Sequence, residues 1–343
     1  MVNLDPTECD ATSVPGDIYM FIADRVWDHL TEMDKDISQE SKDEMQRLVD
    51  EARELKLRYE AAYNDRNTRT QIFDETVKWR TANRELNREL WPTFWLRVAE
   101  KSTRRKCVKR PVMTLGYGVT RAGCREQLFD DTKGLTQDLT YKEKIWVNPF
   151  GDLVYNTCYE ELKGPAIMLN LFRSLAESAN NSDKFLKWTV PFTNFPVVQA
   201  YEPTYKLSVN APYKKKRLQL TLELKFAYLS KQMKQKVIKD KKTVSKRNQL
   251  SGAAPNIVHS LDAGHLTMVV NSCDFPVTMV HDSFGCHIGN MDKMFGTVRA
   301  TFAQLYHADP LAMILDELDA MDSMPERGNL KIDDVMLSHF ALC

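Results

Sequence analysis

Apolar residues at helical spacing are the feature that most constrains what this chain can fold into. In residues 37–63 they recur every three or four positions, which predicts a long amphipathic helix with one buried face. Further helices are predicted over 17–30, 72–90, 105–130, 163–181, 255–273 and about 292–307, followed by an irregular acidic tail. A chain with this pattern is expected to be mostly helical.

Strand-like patterns are fewer and short. Residues 195–201 ("FPVVQAY") run as a strand, and 205–228 read as a hairpin whose tip, "NAPYKKK", is basic. Residues 277–288 read as two short strands with a tight turn between them. The predicted fold class is therefore α+β, mostly helical.

Charge is balanced over the whole sequence but not along it. The formal net charge of the 343 residues is zero, so overall charge indicates no partner. Residues 205–249, however, hold fourteen lysines and arginines against two acids, and 97–110 hold seven against one. Such patches are typical of surfaces that bind a polyanion. For 231–247 alone, a solvated lysine-rich surface is an equally good interpretation.

The seven cysteines are scattered, and none of them stands in a CxxC pair. This pattern favours a reduced, cytosolic protein without a disulfide framework or a zinc site. The first residues do not form a signal peptide, and the apolar runs are too short to cross a membrane. No contact with a membrane is expected.

A cationic stripe is predicted on the helix over 105–130. At about 100° per residue, Arg105, Lys109, Met113 and Tyr117 fall on one face, with cations at one end and an aromatic ring at the other. Arginine and lysine suit the phosphates of a nucleotide, and the ring could stack on a base or sugar. Gly118 would allow a close approach. An ordinary amphipathic helix with solvated cations remains the alternative.

The segment "VHDSF" (280–284) places an acid in the turn between two predicted strands. Asp282 could there hold a hard cation such as Mg²⁺ against substrate phosphates. An aspartate that caps its own turn is the more common explanation of such a pattern when it stands alone.

The two segments occur in one chain, about 165 residues apart, and together they resemble a known family. "RKCVKRPVMTLGYG" and "HDSFG" resemble motifs B and C of the single-subunit RNA polymerases of phages and mitochondria. "FPVVQAY", "SGAAPNIVHSLDAGHL" (251–266) and "RGNLKIDDVMLSHFALC" (327–343) resemble further segments of that family in the same order. Ser283 favours RNA synthesis, since family A DNA polymerases usually carry Glu at that position.

The resemblance implies a role for each matching residue. Arg105 and Lys109 would bind the phosphates of the incoming NTP, and Lys109 would also protonate the leaving pyrophosphate. Arg110 would help to hold either the phosphate or the helix. Tyr117 would help to select ribose, and Gly118 would lie near the template base. Asp282 would bridge two Mg²⁺ ions, supported by His281 and Ser283. His259 and the hairpin cations would contact nucleic acid; the hairpin cations are Lys214, Lys215, Lys216 and Arg217.

One part of the family pattern is missing. Two Mg²⁺ ions normally need two carboxylates, and the family's other one lies in motif A, an Asp-Gly-x-x-x-Gly-x-Gln-His pattern. This pattern is absent here, and the chain has no Asp-Gly dipeptide. Residues 2–30 resemble the segment that follows motif A. The chain therefore resembles the larger subunit of the two-subunit RNA polymerase of N-four-like phages. That resemblance implies a partner chain that carries motif A, the thumb and the N-terminal domain. The assembled enzyme would bind DNA template, RNA product and NTPs in the cytoplasm of the host bacterium.

The resemblance also implies a right-hand polymerase fold. Residues 1–258 would be fingers-like, with the basic specificity-type hairpin, and 259–343 would be the C-terminal part of the palm. Two departures stand out: the chain ends Phe-Ala-Leu-Cys rather than Phe-Ala-Phe-Ala, and the helical region between Ser38 and Leu90 has no clear counterpart. Two alternatives stay open, a split family A-like DNA polymerase subunit and a non-catalytic DNA-binding accessory subunit.

Overall fold

The structure is a computed structural model that describes residues 17–98, 100–132, 146–213, 216–225, 230–232, 234, 244–280 and 283–337. In these residues the protein is mostly helical, and its strands form small two-stranded antiparallel sheets. The predicted α+β class is confirmed. The chain divides into two compact units between Ala166 and Ile167, and each unit is described by itself.

The first unit is helical. Its helices are α1 (Ile18–Lys35), α2 (Gln39–Ala61), α3 (Arg66–Ala82), α4 (Arg84–Glu89), α5 (Trp91–Leu96), α6 (Lys101–Leu115), α7 (Arg121–Asp131) and α8 (Val147–Glu161).

An aromatic cluster forms the centre of this unit. The Trp95 and Phe150 rings are stacked with their centroids 4.0 Å apart, and Trp27 meets Phe150 edge-on at 5.7 Å. The buried Trp95 indole donates a 2.8 Å hydrogen bond to the Trp146 carbonyl, so its one polar atom is satisfied. Helices α1, α5, α6 and α8 pack around this cluster, and α6 is thereby held along one side.

The α2–α3 pair is a helical hairpin with charged outer faces. Ser38 caps α2 and Asp65 caps α3, each by accepting hydrogen bonds from backbone N–H groups of the first turn. Two contacts tie the helices together: the Trp79 indole donates to Glu51 at 2.6 Å, and Arg58 pairs with Glu75 at 2.9 Å.

The second unit combines helices with three β-hairpins. Its helices are α9 (Lys163–Asn181, which begins before the boundary), α10 (Lys246–Ser272), α11 (Met291–His307), α12 (Pro310–Glu317) and α13 (Asp334–Leu337). Its strands are β1 (Lys187–Val190), β2 (Phe195–Val198), β3 (Thr204–Tyr213), β4 (Lys216–Lys225), β5 (Val277–Val280) and β6 (Ser283–Cys286), paired β1–β2, β3–β4 and β5–β6.

Small residues let α10 pack closely against β1–β2. A Cβ at Gly264 would lie 2.9 Å from the Val190 side chain, and one at Gly252 would lie 2.6 Å from the Tyr201 hydroxyl. The Trp188 indole donates to Ser260 at 3.0 Å. The two segments that resembled family segments, 195–201 and 251–266, are therefore in direct contact.

Several predicted boundaries were wrong. The single helix predicted over 105–130 is two helices, α6 and α7, separated by a turn at Gly116–Gly118. The helix predicted over 72–90 starts earlier, at Arg66, and is interrupted at Asn83. The tail predicted to be irregular contains α12, which Asp309 caps and Pro310 starts.

The hairpin over 205–228 is confirmed, with a shorter connection than predicted, because Asn210 to Tyr213 are paired in β3. The predicted domain boundary at 258 falls inside α10 and within the second compact unit. The assignment of fingers and palm stays a prediction.

Candidate nucleotide-binding site

Helix α6 presents two different faces. Cys107, Val108, Pro111 and Leu115 are buried and fall within about 100° of one another around the helix axis. Arg105, Lys109 and Met113 fall outside that sector, and the Met113 side chain is half exposed. The first three residues of the predicted stripe are thus on one accessible face.

Arg105 is held by two residues that the sequence analysis did not single out. Its Nε donates a 2.5 Å hydrogen bond to Asp17 Oδ2, and its guanidinium lies 4.8 Å from the centre of the Tyr19 ring. Lys109 Nζ lies 5.9 Å from the same ring. The Tyr19 face therefore gathers both cations predicted to bind phosphate.

Asp17 is fixed by the backbone of α1. Its carboxylate caps that helix by accepting from the N–H groups of Tyr19 (2.9 Å) and Met20 (3.3 Å), and its other oxygen takes Arg105. Burial opposes ionisation here, but the bonds from Arg105 and the two backbone groups outweigh it and lower the pKa of Asp17. Asp17 is therefore ionised at neutral pH, and it engages only the Nε edge of Arg105.

Arg110 is on a different side of α6. Its Nη1 lies 3.3 Å from Asp131, the last residue of α7, and both side chains are partly exposed. Of the two roles implied for Arg110, this contact corresponds to holding the helix. The structure thus brings Arg105 and Lys109 together but not Arg110.

Tyr117 lies in the turn after α6 rather than on the helix. The Gly118 N–H donates to Leu115 (2.9 Å) and the Val119 N–H donates to Thr114 (3.1 Å), which is the hydrogen-bond pattern of a Schellman motif. Gly118 has a φ of 80°, in the left-handed region, so the backbone itself requires glycine here. Tyr117 is 36 % exposed at the end of the cationic face.

The second predicted site segment is the β5–β6 hairpin. Val280 pairs with Ser283, so two residues connect the strands. These are His281 and Asp282, which lie outside the described residues, and the metal prediction therefore remains untested. Within the described part of the chain, no cluster of three or more His, Cys, Asp or Glu could hold a metal ion.

A histidine that the sequence analysis passed over supports this hairpin. His265 of α10 lies with Nε2 3.1 Å from the Val298 carbonyl of α11, so that nitrogen carries the hydrogen. The His265 ring meets Phe284 of β6 and Phe302 edge-on, at 6.1 and 5.6 Å. Burial lowers the pKa of His265, which keeps it neutral.

The predicted nucleic-acid contacts are only partly described. His259 is exposed on α10, with Nδ1 3.9 Å from Asp262. Lys216 and Arg217 begin β4, while Lys214 and Lys215 lie outside the described residues.

Comparison with known proteins gives the family. The family model described as DNA-dependent RNA polymerase matches residues 1–324. The chain belongs to this family. It is 30 % identical over 271 residues to the DNA-directed RNA polymerase of Enterobacteria phage T3, an alignment that covers 69 % of this chain and 29 % of that protein.

Relatives from other sources extend the similarity. A mitochondrial DNA-directed RNA polymerase of Arabidopsis thaliana is 27 % identical over 285 residues, covering 79 % of this chain and 27 % of that protein. The DNA-directed RNA polymerase of Pseudomonas phage phiKMV is 25 % identical over 245 residues, covering 70 % and 28 %. The alignments thus span between a quarter and a third of each of these relatives. No helix in the described residues is long and apolar enough to cross a membrane.

Proposed function

We propose that this chain is part of a DNA-directed RNA polymerase that transfers nucleoside monophosphates from NTPs to the 3′ end of RNA on a DNA template. Its family and its relatives' names support RNA rather than DNA synthesis. Helix α6 would bind the NTP, and Asp282 would hold Mg²⁺.

The observation that carries this proposal is the cluster of Arg105 and Lys109 over Tyr19. Asp17 occupies only the Nε of Arg105, which leaves the two Nη groups of the guanidinium as a fork for phosphate oxygens. Lys109 adds a second positive charge beside the same ring and a proton for the leaving pyrophosphate. A triphosphate is the ligand that matches this arrangement.

Asp282 is a hard oxygen donor of the kind that Mg²⁺ prefers, and Ser283 and His281 flank it. Mg²⁺ bound there would activate the attacking 3′-hydroxyl and neutralise charge on the phosphates. The basic residues of 205–249 and His259 would contact the backbone of DNA or RNA, because cations that replace phosphate counterions supply most of such affinity.

We further propose that a second polypeptide completes the enzyme. A two-metal mechanism uses carboxylates from more than one strand, and this sequence offers only Asp282 in a family metal motif. The second unit also exposes apolar side chains in the β5–β6 hairpin and shortly after it: Val280 of β5 is 66 % exposed, and Ile288 is 82 % exposed. A partner subunit with motif A would supply the other carboxylate and cover such residues.

The test is RNA synthesis by the tagged full chain, isolated from its natural source with the polypeptides that accompany it. On a primed template with Mg²⁺ and NTPs, Asp282→Asn should lower extension by roughly a hundred-fold or more, because the metal loses a charged ligand. Asp274→Asn, which changes an exposed carboxylate eight residues away, should leave extension unchanged.

Three outcomes would contradict the proposal. Full extension by the Asp282→Asn preparation would remove the metal assignment. A preparation that prefers dNTPs to rNTPs in direct competition would be a DNA polymerase, and one that extends nothing would be an accessory complex.

A further inference from the structure

The connection between α2 and α3 forms a cavity outside the site described above. Its volume is about 470 Å³, within the usual range for small-ligand sites. Three aromatic side chains, Tyr59, Tyr63 and Phe73, line it together with Arg66 and Arg69. We call these five residues the hairpin tip.

The Arg69 guanidinium lies close to two aromatic rings. It lies 4.4 Å from the Tyr59 ring centre and 5.7 Å from that of Tyr63. Its Nε is buried and, within the described part of the chain, has no hydrogen-bond partner. Buried donors in native proteins are nearly always satisfied, so the hydrogen-bonding capacity of the Arg69 side chain is not fully used within the described residues.

Two other members of the tip are freely accessible. Tyr63 is 74 % exposed, although a large aromatic ring gains most by burial. Arg66 is exposed as well, and it forms no ion pair with any residue that the structure describes. The tip therefore offers one open ring face and one unneutralised cation to solvent.

The backbone below the tip is well ordered by its own contacts. The Asp65 carboxylate accepts from the N–H groups of Asn67 (3.0 Å) and Thr68 (3.3 Å) and from the Thr68 hydroxyl (2.6 Å). These bonds occupy the carboxylate of the residue that precedes Arg66 in the sequence. The ion pair of Arg58 with Glu75 holds the two helices together just below.

We propose that the hairpin tip binds single-stranded nucleic acid, with a base stacked on Tyr63 and an adjacent phosphate held by Arg66 and Arg69. The open aromatic face decides this choice over an acidic peptide, because base stacking uses the ring whereas carboxylates would use only the cations. The proposal goes beyond the proposed function, since none of these residues belongs to α6 or to the β5–β6 hairpin.

The test uses the full chain and a twelve-nucleotide single-stranded RNA that carries 4-thiouridine, which crosslinks to a stacked neighbour on irradiation. Site mapping is needed because the basic residues of 205–249 could bind the same RNA elsewhere. Crosslinks should map to the tryptic peptide 59–66. In Tyr63→Ala, the RNA concentration that gives half-maximal crosslinking should rise about five-fold or more. A five-fold change corresponds to the lower end of the free energy contributed by one base stacked on an aromatic ring. Tyr63→Phe should keep the wild-type value.

Cation variants test the phosphate contact. In Arg66→Gln the corresponding tryptic peptide is 59–69, because the cleavage site at residue 66 is lost. The slope of log K against log salt for the crosslink to this peptide should be smaller than in wild type by roughly 0.7, since one phosphate contact to a single strand is lost. Lys78→Gln and Leu57→Ala are matched controls, because both residues are exposed on the same two helices but do not line the cavity.

Three results would overturn the proposal. They are the absence of crosslinks in 59–66, an equal loss in the control variants, and displacement of the RNA from this peptide by a glutamate-rich peptide of equal charge. The last would show that the tip recognises negative charge without stacking. None of these measurements uses NTPs or catalysis, so a negative result for RNA binding at the hairpin tip would not contradict the proposed polymerase function.

Discussion

At the scale of single residues, the cationic site depends on a partner that is distant in sequence. Arg105 and Lys109 are recognisable from their spacing, but Asp17 and Tyr19 lie almost ninety residues earlier. Asp17 also caps α1, so one carboxylate both starts a helix and orients the guanidinium. A single sequence contains no signal for such a pair, because Asp17 alone is an ordinary helix cap.

The role of Asp17 can be separated from capping by a double-mutant cycle. Asp17→Ser retains a side chain that caps helices but removes the carboxylate that orients Arg105. We expect it to weaken binding of inorganic tripolyphosphate to the full chain several-fold, and Arg105→Ala to weaken it about ten-fold, the value of one charge-assisted hydrogen bond. In the Arg105→Ala background, Asp17→Ser should have no further effect. Titration calorimetry on all four proteins measures this. An equal effect in both backgrounds would mean that Asp17 acts only through α1, and tighter binding would mean that it competes for Arg105.

His265 gives the second unit a pH-dependent stability. Its pKa is lowered in the folded protein by burial, despite the bond to Val298 and the nearby Asp262. At a pH above about 6.5, the pKa of histidine in the unfolded chain, His265 is neutral in both the folded and the unfolded state, so the free energy of unfolding does not change with pH on its account. As the pH falls below 6.5, the unfolded chain takes up the proton first, and the free energy of unfolding decreases.

We therefore expect wild-type protein to lose stability between pH 7 and 5 more steeply than His265→Gln, measured by urea unfolding at each pH. Thr267→Ala, which changes an exposed residue of the same helix that has no ionisable side chain, should keep the wild-type slope. Parallel slopes for wild type and His265→Gln would contradict a buried neutral His265.

At the scale of elements, local signals explain both the successes and the errors. The long patterns of α2, α9 and α11 were predicted within a few residues, because their apolar faces repeat over several turns. The break between α6 and α7 was missed, although Gly116 and Gly118 marked it, since the apolar pattern continues across the turn. Strand β1 was missed because it has only four residues and becomes a strand by pairing with β2.

The glycine at the end of α6 allows a matched test of that break. Gly118→Ala forces a Cβ into the left-handed region and should lower the free energy of unfolding by roughly 1–2 kcal/mol. Gly116→Ala should be neutral or slightly stabilising, because Gly116 has helical backbone angles and its added methyl group would meet no other atom within 4 Å. Chemical denaturation of both variants decides the matter. Equal effects of the two substitutions would contradict a requirement for glycine in the left-handed conformation at position 118.

At the scale of the whole molecule, the family resemblance covers a larger part of the chain than the contacts within the described residues do. The family was recognisable from two short motifs, and the family model confirms it over residues 1–324. The two short strands on either side of His281 and Asp282 were also predicted. The contact of Arg105 with Asp17 was not predicted, because no local pattern specifies a contact between segments so distant in sequence.

The last prediction is that the full chain alone does not synthesise RNA and gains activity only with a second polypeptide. One motif carboxylate cannot fix two metal ions, and the exposed Val280, Ile288 and Met291 are apolar side chains that a permanent partner would bury. A permanent interface of this kind would cover on the order of 2,000 Å² or more. The purified chain, shown to be monomeric by light scattering, should give no template-directed extension with Mg²⁺ and NTPs, and adding the co-isolated polypeptide should restore it. Ile288→Ser should weaken that association without lowering the melting temperature of the isolated chain. Leu57→Ser is the control, because it also replaces an exposed apolar residue, in the first unit, and it should leave the association unchanged. Extension by the isolated monomer at a normal polymerase rate would show that the second carboxylate is already present in this sequence.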